Sequence, residues 1–411
     1  MDLLVVNIAE LATPQGQGRV EGTRMGDLTV LREAFVLCRE GQVEALGPMN
    51  CLPNWNGPIL DAKGATCTPG LVDPHTHTVF AGSRVDEFLA RAQGESYTGG
   101  GIVTSAHALA ETSVEELVKA ARPRLQAMLR RGVTTIEAKS GYGLTLDNEL
   151  KLLQAVGILA REAKAELIPT FLGAHAVPPG WERSAYVEHV ISDMLPRVAG
   201  SGLATFCDVF CDQGFFTVEE SERILRAAQG QGLKIKLHAD ELADTGGAEL
   251  AARLGATSAD HLLRASRAGL QAMKEAGVVG VLLPGTAFVL NEPYAPARTM
   301  IDGGLAVALG TDFNPGSCPV ISLPLCLSLA VLRMGMTVEE SLCAATLNAS
   351  AAVGAADRLG SLEPGKIADL VLWDVPTYRE LPYWIGHDLV GAVVKGGELV
   401  WRRSESAPTP S

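Results

Sequence analysis

Two histidines one residue apart, His75 and His77, close the stretch Pro69-Gly70-Leu71-Val72-Asp73-Pro74-His75-Thr76-His77. Side chains two apart on a strand point the same way, so the pair presents two imidazoles on one face where an apolar run ends. Neutral imidazole is the commonest side-chain ligand for zinc and also suits iron and nickel. A lone His-x-His carries little weight, because a single histidine is most often an ordinary core or surface residue. Here His238, His261 and Asp312 each sit just beyond another short apolar run. Three histidines and a carboxylate supply a site for one ion with room for water, and a divalent ion lowers the pKa of water towards neutrality. Asp312, in Gly310-Thr311-Asp312-Phe313-Asn314-Pro315-Gly316, can ligate the ion and also accept the water's proton. His261 can hold the attacked oxygen or the water in line as an electrophile. Glu241, three residues after His238, is placed to carry a proton to a leaving nitrogen. The pattern points to a metal hydrolase with Asp312, His261 and Glu241 as catalytic candidates.

Such residues need a scaffold that brings distant strand ends together. Eight apolar segments qualify as strands: 66–77, 133–138, 166–172, 205–210, 234–238, 256–261, 278–283 and 306–311. Helical stretches fill most of the gaps. Three of them open with a hydroxyl residue followed three later by Glu: Ser113 and Glu116, Thr217 and Glu220, Thr337 and Glu340. That capping box satisfies otherwise orphaned N–H groups at a helix start. Eight strands alternating with helices predict an α/β fold, a closed (β/α)8 TIM-type barrel. An open doubly wound sheet is the rival, but no strand leads into Gly-x-Gly-x-x-Gly. Barrel enzymes place their sites at the C-terminal strand ends. His75 and His77 end the first strand, Glu137 to Tyr142 stand at the end of the second, and His175 follows the third. His238 and Glu241 end the fifth, His261 the sixth and Asp312 the eighth. Five of the chain's 8 histidines thus occupy strand ends. His107, His189 and His387 fall elsewhere and are given no role.

The termini read differently. Residues 1–65 and 355–411 are short apolar or alternating strands between turns, neither long enough for a core of its own, so together they predict one small β-sandwich domain. The barrel then spans 66–354. The connection 78–112 carries Gly99-Gly100-Gly101, and a loop of that length in a compact domain is usually functional, often a lid. The polar end, 404–411, is expected to fray.

Composition sets outer limits. The 411 residues are 47% hydrophobic and 20% charged, an ordinary globular balance with a large core. A net charge of −13, with no basic run longer than a pair, argues against nucleic acid or an anionic membrane as partner. A single buried arginine can still serve a small anionic substrate. The first residues lack the basic start of a signal peptide, and no apolar run nears the ~18 residues of a membrane span. The 8 cysteines form no Cys-x-x-Cys, and several lie in apolar runs, as expected of buried reduced thiols in a cytoplasmic protein.

With these residues placed, the order His-x-His, His, His, Asp on successive strands resembles the amidohydrolase superfamily. The flanking β-domain and the late segment Gly360-Ser361-Leu362-Glu363-Pro364-Gly365-Lys366-Ile367-Ala368-Asp369-Leu370 resemble it too. Within it, four segments are similar to the imidazolonepropionases: Val72 to Arg84, Lys139-Ser140-Gly141-Tyr142-Gly143-Leu144, Phe171-Leu172-Gly173-Ala174-His175 and His238-Ala239-Asp240-Glu241. The resemblance runs over nearly the whole chain. It implies hydrolysis of the cyclic amide 4-imidazolone-5-propanoate to N-formimidoyl-L-glutamate in L-histidine degradation. It further implies one divalent ion, zinc or iron, held by His75, His77, His238 and Asp312. Substrate contacts implied by the same similarity are Arg84, Tyr142, His175, Glu241, Asn314, Gly316 and Ser317, with Tyr97 a candidate beside Arg84. A homodimer is the expected assembly.

Arg84 also has a physical case of its own, since its fork of donors suits a propanoate carboxylate. One departure from the wider superfamily matters. Members with two ions carry a bridging lysine at the end of strand four, where this chain reads Cys207-Asp208-Val209-Phe210-Cys211-Asp212. Lys139 lies on strand two, where a solvated role or one behind the ligands is expected, so one ion is predicted. Another amidohydrolase, such as a nucleobase deaminase or other cyclic-amide hydrolase, would use the same ion, histidine and glutamate. A non-catalytic scaffold is the rival from another class, and retention of every ligand-type residue argues against it.

Overall fold

The chain begins with three antiparallel strands, β1 (Leu3–Thr13), β2 (Thr29–Arg39) and β3 (Gln42–Pro48). In this computed structural model, which describes residues 1–94 and 101–404, two short strands then pair parallel to β1: β4 (Ile59–Asp61) and β5 (Thr66–Pro69). Tyr97 and most of the polar tail lie outside the described residues.

The first predicted strand, 66–77, is two strands. Thr66–Pro69 belongs to the terminal sheet, and β6 (Leu71–Asp73) opens the barrel. The break falls at Gly70 because the chain crosses hard against Thr134 there. A Cβ on residue 70 would stand 2.3 Å from Thr134 Oγ1.

Seven more strands follow: β7 (Val133–Lys139), β8 (Glu166–Ala174), β9 (Phe206–Cys211), β10 (Lys234–Ala239), β11 (Ser258–His261), β12 (Val279–Leu282) and β13 (Val307–Leu309). Each is parallel to its neighbour in sequence order, so they form an 8-stranded (β/α)8 barrel. The capping boxes predicted at Ser113, Thr217 and Thr337 are all formed, and each starts a helix against the barrel.

The seam between first and last strands is closed by groups around the predicted site. Asp73 accepts from the Thr311 N–H at 3.0 Å and from its hydroxyl at 2.6 Å. The Asp312 N–H donates to the His75 carbonyl at 3.0 Å, and the His77 N–H to the Phe313 carbonyl at 2.9 Å. Barrel closure and the convergence of His75, His77 and Asp312 are therefore one event.

The 78–112 connection is not a bare loop. Its described parts hold two helices, Val85–Ala92 and Gly101–Ala110. Buried Ile102, Ser105 and Leu109 recur at helical spacing in the second.

The chain returns to the first sheet through β14 (Leu370–Trp373), β15 (Val390–Lys395) and β16 (Glu398–Arg402). β14 docks antiparallel on β5, so both termini build one mixed sheet in the order β16-β15-β14-β5-β1-β2-β3, with β4 beside β1. Its buried face joins Val5, Ile8, Leu11 and Val36 to Leu370 and Val394, a core that neither terminus could make alone.

Candidate active site

His75 and His77 follow β6, where the chain bends onto Phe313 across the seam. The ring centroids of His75 and His238 are 4.5 Å apart, those of His77 and His238 5.6 Å. One ligand atom from each of His75, His77 and His238 lies within 4.8 Å of the other two. Asp312 Oδ1 adds a fourth donor, 3.5 Å from His75 Nε2 and 3.7 Å from His77 Nε2. Donors around one ion at bond lengths of about 2.1 Å in a tetrahedron stand about 3.4 Å apart, so the spacing fits a single centre. The donors are also waiting for a partner. The buried Nε2 atom of His75 and both ring nitrogens of His238 have no hydrogen bond among the described residues. Buried polar atoms in that state call for an explanation, and an ion supplies one.

Burial sets the protonation states. It holds His75 and His77 well below the ordinary imidazole range, that is, in the neutral form that binds metal. Burial also pushes the Asp312 carboxyl up to about 6, against the hydrogen bond that Thr286 Oγ1 donates to its Oδ2 at 2.7 Å. Glu241 is raised well above its ordinary range, first by burial and then by the charge of Asp312. His261 Nδ1 lies 3.7 Å from Glu241 Oε2, and burial keeps that imidazole neutral. Asp312 and His261 also hold left-handed backbone, with φ of 54° and 78°, as do Asp240 and Leu262 beside them and several turn residues elsewhere. Non-glycine residues occupy that region only when their surroundings impose it, as they do at functional sites.

Neighbouring loops are fixed by buried carboxylates. Asp212, at the end of β9, accepts from the N–H groups of Glu241, Leu242 and Ala243 at 2.7, 2.9 and 3.1 Å, which sets where Glu241 stands. Glu149 does the same for the Tyr142 loop, accepting from Gly141, Gly143 and Leu144. His175 Nδ1 lies 2.9 Å from the Gly141 carbonyl, which only accepts, so Nδ1 carries the proton and Nε2 is the ring's acceptor.

One cavity is lined by His77, Arg84, Tyr142, His175, His238, Glu241, His261, Asp312, Asn314 and Ser317, with Ile102 and Phe210 added. It measures ≈ 20 Å³, room for about one water. Nearly every predicted residue is therefore brought together, and Tyr97 lies outside the described residues. Gly316 packs on the Arg84 guanidinium, where a Cβ would stand 2.2 Å from Cζ. Arg91 donates to the Gly316 carbonyl at 2.7 Å. Arg84 itself donates to Glu87, from Nε at 3.0 Å and Nη2 at 2.7 Å. The Asn314 side chain is committed to its own loop. It donates to the Asp312 carbonyl and Ser317 Oγ and accepts from the Gly316 and Ser317 N–H groups, so it shapes the loop.

Lys139 is not solvated. It is fully buried and paired with Asp208 and Glu137 behind the histidines. A second group of donors, His75, Glu137 and Asp260, also clusters, but Lys139 and Lys236 already place their ammonium groups on those carboxylates. Cys207 and Cys211 are buried, and burial pushes the Cys211 thiol up to about 11, which suits packing and not ligation.

The family model described as "Amidohydrolase family" matches residues 66–400. An imidazolonepropionase of Geobacillus kaustophilus (strain HTA426) is 49% identical over 390 residues, 92% of this chain and 92% of that protein. One from Clostridium tetani (strain Massachusetts / E88) is 45% identical over 414 residues, 98% of this chain and 99% of its own. Among solved structures, a mutant atrazine chlorohydrolase from Arthrobacter aurescens TC1, complexed with zinc and atraton, superposes with TM-score 0.74 at 17% identity, covering 99% and 97% of the two chains. A zinc-bound adenosine deaminase from Xanthomonas campestris gives 0.71 at 19% identity, covering 97% and 92%. At those identities the solved structures speak for the fold alone.

Proposed function

Because the chain belongs to the amidohydrolase family and, within it, to the imidazolonepropionases, we infer that it hydrolyses 4-imidazolone-5-propanoate to N-formimidoyl-L-glutamate in L-histidine degradation. The observation that carries the reading is the meeting of a three-histidine, one-carboxylate donor set with Arg84 and Glu241 around one cavity. His75, His77, His238 and Asp312 would hold one divalent ion, zinc or iron. Such an ion polarises a carbonyl and lowers the pKa of water to about 7.

The remaining chemistry belongs to side chains. Arg84 faces the cavity, oriented by Glu87, and would bind the propanoate carboxylate, turning the ring carbonyl towards the histidines. His261 would hold the carbonyl oxygen. Asp312, ionised at neutral pH yet basic for a carboxylate, would accept the proton of the attacking water. Glu241, kept neutral, would donate a proton to the ring nitrogen as the carbon–nitrogen bond breaks. Two carboxylates whose surroundings give them different pKa values divide acid and base between them. Tyr142, His175, Tyr97, Asn314, Ser317 and the Gly316 backbone complete the proposed substrate contacts. A homodimer in the cytoplasm belongs to the same proposal. No described helix is long and apolar enough to cross a membrane.

The test is a spectrophotometric assay with freshly generated 4-imidazolone-5-propanoate beside elemental analysis. Turnover that requires one equivalent of zinc or iron is expected. A protein that binds the ion and ignores this substrate would move the search to other cyclic amides and to deaminase substrates. Two variants refine the substrate side. Arg84→Ala is expected to raise KM about 10- to 100-fold, the worth of a charge-assisted pair, with metal content unchanged. Equal loss of metal and affinity would remove Arg84 from the carboxylate. Gly316→Ala should act in the same direction by pushing the guanidinium aside, and an unchanged KM would count against that packing.

A further inference from the structure

Behind the ion-binding histidines, the barrel lumen holds five charged side chains that the reaction above leaves unused: Glu137, Lys139, Asp208, Lys236 and Asp260. All are fully buried. Bulky apolar residues ordinarily fill such a lumen. Buried ion networks are seldom more stable than apolar packing of the same volume. The lumen charges therefore need a reason other than stability.

Lys139 stands at their junction. Its Nζ is 2.6 Å from Asp208 Oδ2, 3.0 Å from Glu137 Oε1 and 3.6 Å from Asp260 Oδ2. Each aspartate also reaches a histidine. Asp208 Oδ2 lies 3.0 Å from His238 Nδ1, a charge-pair distance without hydrogen-bond alignment, and its Oδ1 accepts from the His238 backbone N–H at 3.1 Å. Asp260 Oδ2 lies 2.6 Å from His75 Nδ1. One ammonium thus ties together the carboxylates that stand behind two of the three histidines. Lys236 is placed differently. It donates to the Pro74 carbonyl at 2.7 Å, sits 3.1 Å from Glu137 Oε1 and is 3.7 Å from Asp260 Oδ2.

We propose that Lys139 is the positioning residue of the metal centre: through Asp208 it holds the orientation of His238, and through Asp260 the orientation and tautomer of His75, so that the other ring nitrogens face the ion. The proposal rests on the reading that these histidines hold the ion. Without Lys139, Asp208 loses its ammonium partner and Asp260 keeps only Lys236, so the two aspartates repel each other and turn from the rings beside them.

The experiment compares zinc affinity, by competition with a chromophoric chelator, and the visible spectrum of the cobalt-substituted protein. The proteins are wild type, Lys139→Met, Lys236→Met, Asp208→Asn and the Lys139→Met/Asp208→Asn pair. Partners behind metal ligands typically carry 10- to 100-fold in metal affinity, and a loss of that order is expected for Lys139→Met. The cobalt bands should shift with it. Lys236→Met removes the same charge from the same lumen and should lose much less. The pair should cost little more than the worse single variant, since both changes cut one path. It removes opposite charges together, so it supplies a folded background if Lys139→Met alone is unstable. Affinity within about threefold of wild type and an unmoved cobalt spectrum in Lys139→Met or the pair would overturn the proposal, as would equal losses in both lysine variants. Failure of the wild-type protein to bind zinc or cobalt would instead overturn the reading of the site itself.

Discussion

His238→Ala is expected to leave a folded protein that binds no stoichiometric zinc or iron and turns over at least about 10⁴-fold more slowly, because unassisted water has a pKa of 15.7 in place of about 7. The reason is geometric. Of the donors that meet here, His238 is the one from the middle of the barrel, on β10, while His75, His77 and Asp312 all stand at the seam. Without it the remaining three lie along one side of the would-be centre. The fold does not depend on the ring. Asp208 still pairs with Lys139, and the His238 backbone still donates to Asp208. Thermal unfolding separates the two effects. Added zinc should raise the melting temperature of the wild-type protein, since a ligand that binds only the native state stabilises it, and leave the variant unmoved. Full metal content or near-normal turnover in His238→Ala would remove this histidine from the ligand set.

How much of this was legible in the sequence depended on what kind of pattern each feature left. The strand ends were visible because apolar runs stop abruptly at His77, His175, His238, His261 and Asp312, and only a closed barrel brings such ends together. The capping boxes were legible because their chemistry is local. The split at Gly70 was not, since its cause is Thr134, which reaches it only in the fold. The helices inside 78–112 were masked by the glycines beside them. The lumen network was missed for a more instructive reason. Thr135, Glu137 and Lys139 alternate along β7, Lys236 and His238 along β10, Ser258 and Asp260 along β11. Alternating polar residues on a strand ordinarily mark a solvent face. In a closed barrel the inward face can carry them only if they pair with one another, and pairing is decided by register between strands. Asp212 and Glu149 escaped notice likewise, because a carboxylate that holds a loop through backbone N–H groups leaves no motif.

Glu241→Gln tests the proposed proton donor separately from the metal. The amide keeps the shape of the side chain, and Asp212 still fixes the backbone through the residue 241 N–H. Metal content should therefore stay near wild type, and KM should change far less than kcat. What the amide cannot do is give a proton to the departing nitrogen, and a positioned general acid contributes about 10²- to 10⁴-fold, so kcat is expected to fall by that amount. The pH profile supplies the second readout. Burial, followed by the charge of Asp312, raises the Glu241 carboxyl well above its ordinary range, so it stays protonated where an exposed glutamate has ionised. The donor form is present below the raised pKa and lost as pH climbs through it, which predicts an alkaline limb in kcat. That limb should vanish from the residual activity of Glu241→Gln, since nothing at position 241 then titrates. A fall in kcat of less than about threefold would assign the proton to another group, with His261, 3.7 Å away, the first to test. A drop with the alkaline limb intact would show that Glu241 shapes the cavity while another side chain titrates.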